Sequence, residues 1–228
     1  MLGLFIMENI QFIPAAVVAY FLGCSNGAVI ISKYILRDDV RKHGSGNAGL
    51  TNFFRTFGGP MTFVVILIDV LKAVLAVLFG VWMSGFWAPG FGVDAVRAAD
   101  PALAVLLFKY WAGLFCLLGH MFPCMFGVRG GTGSLSGGTV AILIDWRLAL
   151  LVWGGFILLT ALTRYVSLGS VYAAAFLPVG TWLFVSRDST VMVLSILLGG
   201  LILWKHRGNI QRLLKGEENK LSFHKKKE

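Results

Sequence analysis

The sequence predicts an all-α polytopic membrane protein, and three observations predict it. Of its 228 residues 57% are apolar and only 14% charged, with a mean hydropathy of +0.79, well outside the range of a water-soluble domain. Apolar runs recur at about 9–32, 61–84, 102–122, 138–144, 148–163, 166–185 and 190–204, several of them near the ~20 residues a helix needs to cross a bilayer. The net charge of +9 is concentrated: of twenty Lys and Arg, five lie at 33–60 and eight at 205–228. Basic segments beside apolar spans follow from the positive-inside rule and from anionic headgroups, so membrane lipids and not nucleic acid are the expected partner.

The first run has no Lys or Arg before Lys33, so it lacks the basic start of a secretory signal and reads as a span. Phe21-Leu-Gly-Cys24 has the outline of a lipoprotein cleavage site and fails for the same reason. Cys24, Cys116 and Cys124 are odd in number, lack metal-ligand spacing and lie in or after apolar runs; no disulfide, metal or other cofactor is expected. The fourth and fifth runs are divided by Asp145-Trp146-Arg147, charges that are costly at mid-bilayer. This stretch is either one long helix with a buried ion pair or two short helices meeting at a polar turn.

Loop charge selects the second. With 33–60 inside, two crossings bring 123–137 inside as well, and only a turn at 145–147 returns 163–165 and the basic tail to that side. The expectation is seven transmembrane helices, N-terminus outside and C-terminus cytoplasmic. Arg97, Arg147 and Arg187, each near an Asp, then occupy external loops. The chain reads as one integral membrane domain over 1–228, with a basic cytoplasmic tail at 206–228 that ends in a solvated stretch, 222–228. No internal repeat, soluble domain or linker interrupts it.

Four polar segments share the cytoplasmic side in this topology. The first, Lys42-His-Gly-Ser-Gly-Asn-Ala-Gly-Leu-Thr-Asn-Phe-Phe-Arg55, combines glycines at 44, 46 and 49 with Ser45, Asn47, Thr51, Asn52 and Arg55. Glycine permits positive φ, so consecutive N–H groups can converge on an anion, and Arg55 adds a planar fork for phosphate oxygens. The second runs from Gly119-His120 through Pro123 to Arg129, Gly130, Gly131, Thr132 and Gly133. Pro123 ends or bends a helix, and the glycines open a backbone nest at the start of the next, where free N–H groups favour phosphate. Close helix packing by small residues is the competing explanation. The third is Thr163-Arg164-Tyr-Val-Ser167-Leu-Gly-Ser170, at a helix end. The fourth is Lys205-His206-Arg-Gly-Asn209-Ile-Gln-Arg212, where His206 and Asn209 at i, i+3 share one helix face.

Together the four segments resemble the bacterial acyl-phosphate:glycerol-3-phosphate acyltransferases. That family carries Gly-Ser-Gly-Asn…Thr-Asn…Arg, Gly-His…Phe-Pro followed by Gly-Gly-Lys-Gly, Arg-Tyr-Val-Ser-Leu-Gly-Ser, and a His-Arg…Asn-Ile…Arg-Leu-Leu-Lys-Gly…Glu-Asn-Lys ending. Here Gly44–Arg55, Gly119–Pro123, Arg164–Ser170 and His206–Lys220 stand in the same order, with Asp69-Val-Leu-Lys72 in the second span. The resemblance implies seven helices and transfer of a fatty acyl group from acyl phosphate to the 1-hydroxyl of glycerol 3-phosphate, giving lysophosphatidic acid and phosphate. It implies a bacterial cell membrane and a site facing the cytoplasm. Ser45, Asn47, Thr51, Asn52 and Arg55 would help form a pocket for two phosphates, His206 and Asn209 its other wall, with Ser167 and Ser170 nearby. Gly44, Gly46, Arg129, Gly130, Gly131, Gly133 and Arg164 belong to the same motifs, and apolar spans would hold the acyl chain.

An acyl phosphate is already activated, so such a site mainly neutralises phosphates and brings the hydroxyl into range. A substrate phosphate oxygen can take the hydroxyl proton, and His120 is expected to be structural or a supporting hydrogen-bonding residue. One departure stands out: Thr132 occupies the place of the loop lysine. Loss of a charge-assisted hydrogen bond to a buried phosphate costs about 2–5 kcal/mol, roughly 30- to 5,000-fold. Ser134 is also more polar than the family's residue. A catalytically impaired homologue that binds lipid precursors or a membrane partner is therefore the alternative, and an anion transporter using Asp69 and Lys72 is a third reading.

Overall fold

The computed structural model describes residues 10–86 and 100–221. The outer N-terminus, the Arg97 loop and the solvated stretch 222–228 lie outside these residues. Every regular element among the described residues is helical. The first apolar run divides into α1 (Phe12–Cys24) and α2 (Gly27–Ile30), the latter continued by a π turn over Ile31–Ile35. Asn26 makes the break: its Oδ1 caps α2 by accepting from Val29 N (3.0 Å), while its Nδ2 donates to Ala48 O (3.0 Å). A short α3 (Leu50–Thr56) precedes the long α4 (Met61–Phe86). Asp100 caps α5 (Pro101–Met121), whose first residue is a proline that has no N–H to leave unpaired.

The fourth and fifth apolar runs are separate helices, α6 (Ser134–Ile144) and α7 (Trp146–Thr163). Asp145 is extended between them (φ −158°, ψ 136°) and caps α7 through Arg147 N at 2.7 Å. The Arg147 guanidinium pairs with the same carboxylate (2.9 Å) and donates to Phe184 O (2.6 Å), which moors the turn to the segment just after α8 (Val166–Gly180). Pro178 lies inside α8, and a π turn over Thr181–Val185 follows. Asp188 then caps α9 (Ser189–Lys205). The chain bends by 59° at His206 into α10 (Arg207–Leu214).

Length separates these helices more than the sequence suggests. Phe12–Ile35, Met61–Gly85, Pro101–Phe126, Trp146–Thr163 and Val166–Val185 are long and apolar enough to cross a bilayer, and α9 with α10 makes a sixth if the bent pair counts as one span. At 11 residues, α6 covers only about 16 Å of a hydrocarbon core of roughly 30 Å. The left-handed Gly133 starts it and Asp145 stops it.

Helix α5 is the centre, packed against α1, α4, α6 and α9. Contact with α1 is close enough that a Cβ on Gly119 would overlap the Tyr20 carbonyl, and one on Gly23 the Cys116 carbonyl. Small residues at crossings of this kind are the membrane solution to helix packing. Outward, Leu150, Ile157, Leu158 and Leu162 of α7 are exposed, a face suited to lipid tails.

Candidate active site

The foundation of the site is ionic. Asp69 and Lys72, one turn apart on α4, are 1% and 3% exposed, and Asp69 Oδ1 lies 2.7 Å from Lys72 Nζ. The ammonium also donates to Ser25 O in the α1–α2 break (3.1 Å) and reaches His120 Nδ1 near the end of α5 (2.6 Å). Asp69 Oδ1 accepts from Gly27 N (3.2 Å), and Ser136 Oγ of α6 donates to Asp69 O (3.2 Å). An ammonium can only donate, so Nδ1 is the acceptor and the neutral imidazole carries its hydrogen on Nε2.

The second polar segment is laid over this ring. A Cβ on Gly130 would overlap the His120 carbonyl, and one on Gly131 would overlap both His120 Nε2 and Ala48 O. Their N–H groups donate back to Met121 O and His120 O, each at 3.2 Å. The nest expected at Gly130 and Gly131 is therefore closed: those amides are engaged, and neither residue lines the cavity. Gly133 does line it, in left-handed conformation at the start of α6 (φ 81°).

The first segment is wound around Asn52. Asn52 Oδ1 accepts from Ser45 N (3.1 Å), and its amide faces Val40 O, His43 O and Asn47 O at 3.1, 3.1 and 3.0 Å. Gly44 and Gly46 take the positive φ that this winding needs (54° and 68°), and Gly46 N donates to His43 O (2.9 Å). The amides of Ser45 and Gly46 thus face inward. Asn52 organises the loop, Gly44 and Gly46 lie off the cavity, and Ser45, Asn47, Thr51 and Arg55 line it beside Asn52. Upstream, the Arg41 guanidinium holds the Asp39 carboxyl down at about 2, and Arg41 also donates to the carbonyls of Phe126 and Arg129. The first two segments are bound together at this point.

The opposite wall comes from α8, α9 and α10. Ser167 and Ser170 stand at the start of α8; Ser170 Oγ donates to Val166 O (3.1 Å), whereas the buried Ser167 Oγ has no hydrogen-bond partner among the described residues. His206 stands at the bend from α9 into α10, where its carbonyl accepts from Ile210 N (2.8 Å), and both it and Asn209 line the cavity. His206 Nδ1 donates to Ile202 O (2.8 Å), which leaves Nε2 as an acceptor 3.4 Å from Ser134 Oγ.

Beyond α10 the chain folds back across the mouth. Glu218, 7% exposed, accepts from Asn209 Nδ2 (3.0 Å) and Arg212 Nε (2.8 Å). Arg55 Nη2 donates to Asn219 O (2.9 Å), and Leu221 N to Arg164 O (2.8 Å). Burial lowers the basicity of Arg55; Glu218 opposes that shift and Arg212 adds to it. A cation stripped of water in this way favours an anionic ligand.

These side chains line one cavity of about 350 Å³. Its lining combines polar Ser45, Arg55, Thr132, Ser167, Asn209 and Arg212 with apolar Leu135, Trp153, Phe156 and Leu177. Arg129 and Arg164 are not on its lining: the Arg129 carbonyl serves Arg41, and Arg164 is the left-handed cap of α7 (φ 63°). Arg212, Glu218 and Asn219 line it although the sequence reading gave them no role; their one signal was the Arg-Leu-Leu-Lys-Gly…Glu-Asn-Lys ending. His120 and Asp69 also reach the lining. Among the described residues no three His, Cys, Asp or Glu gather to hold a metal ion.

Residues 13–216 match the family model described as glycerol-3-phosphate acyltransferase. The chain belongs to the glycerol-3-phosphate acyltransferase family. It is 37% identical over 218 residues to the glycerol-3-phosphate acyltransferase of Clostridioides difficile (strain 630), covering 94% of this chain and 98% of that one. It is 32% identical over 207 residues to that of Staphylococcus saprophyticus, covering 91% and 96%. Two crystal structures of PlsY (YgiH), an integral membrane glycerol 3-phosphate acyltransferase, in its glycerol 3-phosphate and lysophosphatidic acid forms, match with TM-scores of 0.77 and 0.73. Both are 29% identical to this chain and cover 92% of it.

The packing on His120 predicts that Gly131→Ala lowers both the thermal midpoint and acyltransferase activity. Overpacking costs about 1–3 kcal/mol of stability, and displacing the His120 ring and its loop lowers the rate roughly 10-fold or more, about 1.4 kcal/mol of activation free energy. Gly154→Ala, where a Cβ meets nothing within 4 Å, leaves both unchanged, as measured by thermal melting and initial rates in the same detergent.

Proposed function

We propose that this chain transfers a fatty acyl group from an acyl phosphate to the 1-hydroxyl of glycerol 3-phosphate, releasing lysophosphatidic acid and inorganic phosphate, the first step of phospholipid synthesis. The observation that carries this reading is one cavity lined both by cationic, amide and hydroxyl side chains and by apolar ones. A donor with a phosphate and a long tail, and an acceptor with a phosphate and a hydroxyl, suit such a mixed lining. Relatives named for acylation of glycerol 3-phosphate, and a structural neighbour captured with substrate and with lysophosphatidic acid, support it.

In this reaction the 1-hydroxyl oxygen bonds to the acyl carbon and the bond from that carbon to the phosphate oxygen breaks. The phosphate is a good leaving group, so the protein's task is alignment and charge neutralisation. Arg55, and Arg212 once drawn from Glu218, hold the phosphates. Asn47, Thr51, Thr132, Ser167 and Ser170 hydrogen-bond their oxygens, Ser167 with a hydroxyl that has no other partner among the described residues. His206, with Nε2 as acceptor, and Asn209 direct the glycerol hydroxyl, Ser45 faces the reacting carbonyl, and a phosphate oxygen takes the proton. Gly44, Gly46, Gly130, Gly131 and Gly133 shape the loops that present these groups.

Thr132 favours a second reading, an impaired homologue that binds lipid precursors. It lines the cavity and brings a hydroxyl but no charge, and Arg129, the nearest basic residue in the loop, is off the lining. Arg212 stands in the cavity already paired with Glu218.

The proposed topology is seven crossings in a bacterial cytoplasmic membrane, N-terminus outside, C-terminus and active site inside. Supporting it, hydrogen bonds from Arg41 to Phe126 and Arg129, Arg55 to Asn219 and Leu221 to Arg164 link the four polar segments at one end of the bundle. Each pair of helices between them must then leave that side and return.

With labelled glycerol 3-phosphate and palmitoyl phosphate, the chain forms lysophosphatidate, and Thr132→Lys raises the rate by at least ~10-fold, the effect of one added charge-assisted bond. Equal rates would show that a charge already present suffices, and activity in Thr132→Lys alone would establish the impaired reading. In a cysteine-free background, Lys42→Cys and Lys220→Cys label only from the cytoplasmic side of sealed vesicles; external labelling of either contradicts the topology.

A further inference from the structure

Away from the cavity two thiols meet. Cys24 ends α1, and Cys124 follows Pro123 a hundred residues later; their sulfurs lie 3.9 Å apart. Cys24 is fully buried and Cys124 is exposed, so an oxidant reaches one sulfur while the other waits behind it. One turn before Cys24, the Tyr20 hydroxyl donates to Phe122 O (2.8 Å) and holds the two segments together. The sequence expects no disulfide because the cysteines have no motif spacing; the pair exists only in the fold. A disulfide needs sulfurs about 2.05 Å apart. Side-chain rotation and adjustment of an exposed single-turn segment (Cys124–Phe126) cover the remaining distance of about 2 Å.

We propose that Cys24 and Cys124 are a reversible oxidation site that closes into a disulfide with a peroxide as oxidant. The Cys124 thiolate sulfur attacks one peroxide oxygen, the O–O bond breaks, and with a proton the second oxygen leaves as water, giving a sulfenic acid. The Cys24 sulfur then attacks the Cys124 sulfur; the S–O bond breaks, and the hydroxide takes the Cys24 proton as water. In sum two thiols and one hydrogen peroxide give one disulfide and two waters, and a dithiol reductant restores the thiols.

The bond reaches the cavity through the backbone on both sides. After Cys124, Phe126 and Arg129 hold Arg41, and Gly130 and Gly131 lie on His120. After Cys24, Ser25 accepts from Lys72, and Asn26 holds Ala48. Closing the bond shifts the segments that seat His120 and lowers turnover; this consequence rests on the acyl-transfer reading, whereas the pairing does not.

The test uses membranes containing the full chain, treated with hydrogen peroxide, denatured, and labelled with a polyethylene glycol maleimide that counts free thiols. The chain has three cysteines, so reduced protein takes three labels; oxidised protein takes one, on Cys116, and dithiothreitol restores three. Cys124→Ser, altered at the exposed position, keeps two labels after the same treatment, whereas Cys24→Ser, whose Cys124 sulfenic acid has no resolving thiol, takes up dimedone, which oxidised wild type does not. Three labels on oxidised wild type, dimedone uptake by oxidised wild type as great as by Cys24→Ser, or a label lost from Cys124→Ser overturns the pairing. Turnover of labelled glycerol 3-phosphate falls several-fold on oxidation, recovers with dithiothreitol, and is insensitive in Cys124→Ser. Unchanged turnover with the bond formed overturns the coupling. Absence of turnover in every form, reduced wild type included, counts against the acyl-transfer reading and leaves the thiol count to decide the pairing.

Discussion

Lys72 carries an ammonium into the apolar body of the bundle and directs its three hydrogens to three places: the Asp69 carboxylate one turn back, the Ser25 carbonyl where α1 breaks, and the His120 ring at the end of α5. A lysine alone at mid-membrane costs about 2.5–3.5 kcal/mol on insertion scales. Here each hydrogen has a partner, and the Asp69 carboxylate is itself tied to Gly27 N. Removing one member leaves a buried charge uncompensated, a penalty of about 3–5 kcal/mol. The arrangement therefore fixes where α1 ends, which way His120 faces and how deep the glycine loop can settle.

The polar lining of the cavity follows from that constraint. Gly130 and Gly131 can lie on His120 only because neither has a Cβ, and their descent puts Thr132, Gly133 and Ser134 on the cavity wall. Asn26, fixed by the same break, holds the Ala48 carbonyl, and Asn52 winds the loop before it so that Ser45, Thr51 and Arg55 face inward. Glu218 then closes the mouth by gathering Asn209 and Arg212. The cations of the site are thus few and partly paired.

Much of the fold was legible because bilayer physics acts on composition. Apolar runs marked each membrane-embedded helix, and Asp145-Trp146-Arg147 marked the break between α6 and α7, since charges there need a turn that exposes them. The shortness of α6 was not legible, as it depends on where Gly133 can start a helix above His120. At the site, the motifs marked loops that line the cavity, but not which of their polar groups the backbone engages. Asn52 looked like a ligand group, yet its amide and carbonyl serve four backbone groups of its own loop. Gly130 and Gly131 looked like an open nest and are instead a close contact. The 59° bend at His206 was not legible in the spacing of His206 and Asn209. Such assignments depend on which partner a polar group finds after folding, and spacing along the chain does not carry that information. Glu218 was hidden for the same reason: a carboxylate in a basic tail reads as solvated until the tail is seen to fold back.

The account places the Lys72 ammonium upstream of everything the substrate phosphates meet. The direct measurement is the rate of lysophosphatidate formation by Lys72→Met, normalised to folded protein, against the unaltered chain. Methionine keeps the apolar stem but gives His120 Nδ1 no donor and leaves the Asp69 charge unpaired. A fall of at least ~100-fold is expected, about 2.7 kcal/mol of transition-state stabilisation lost as His120 and the glycine loop shift. A rate within about threefold of the unaltered chain, less than ~1 kcal/mol of transition-state free energy, would contradict it and place the origin of the site's geometry elsewhere.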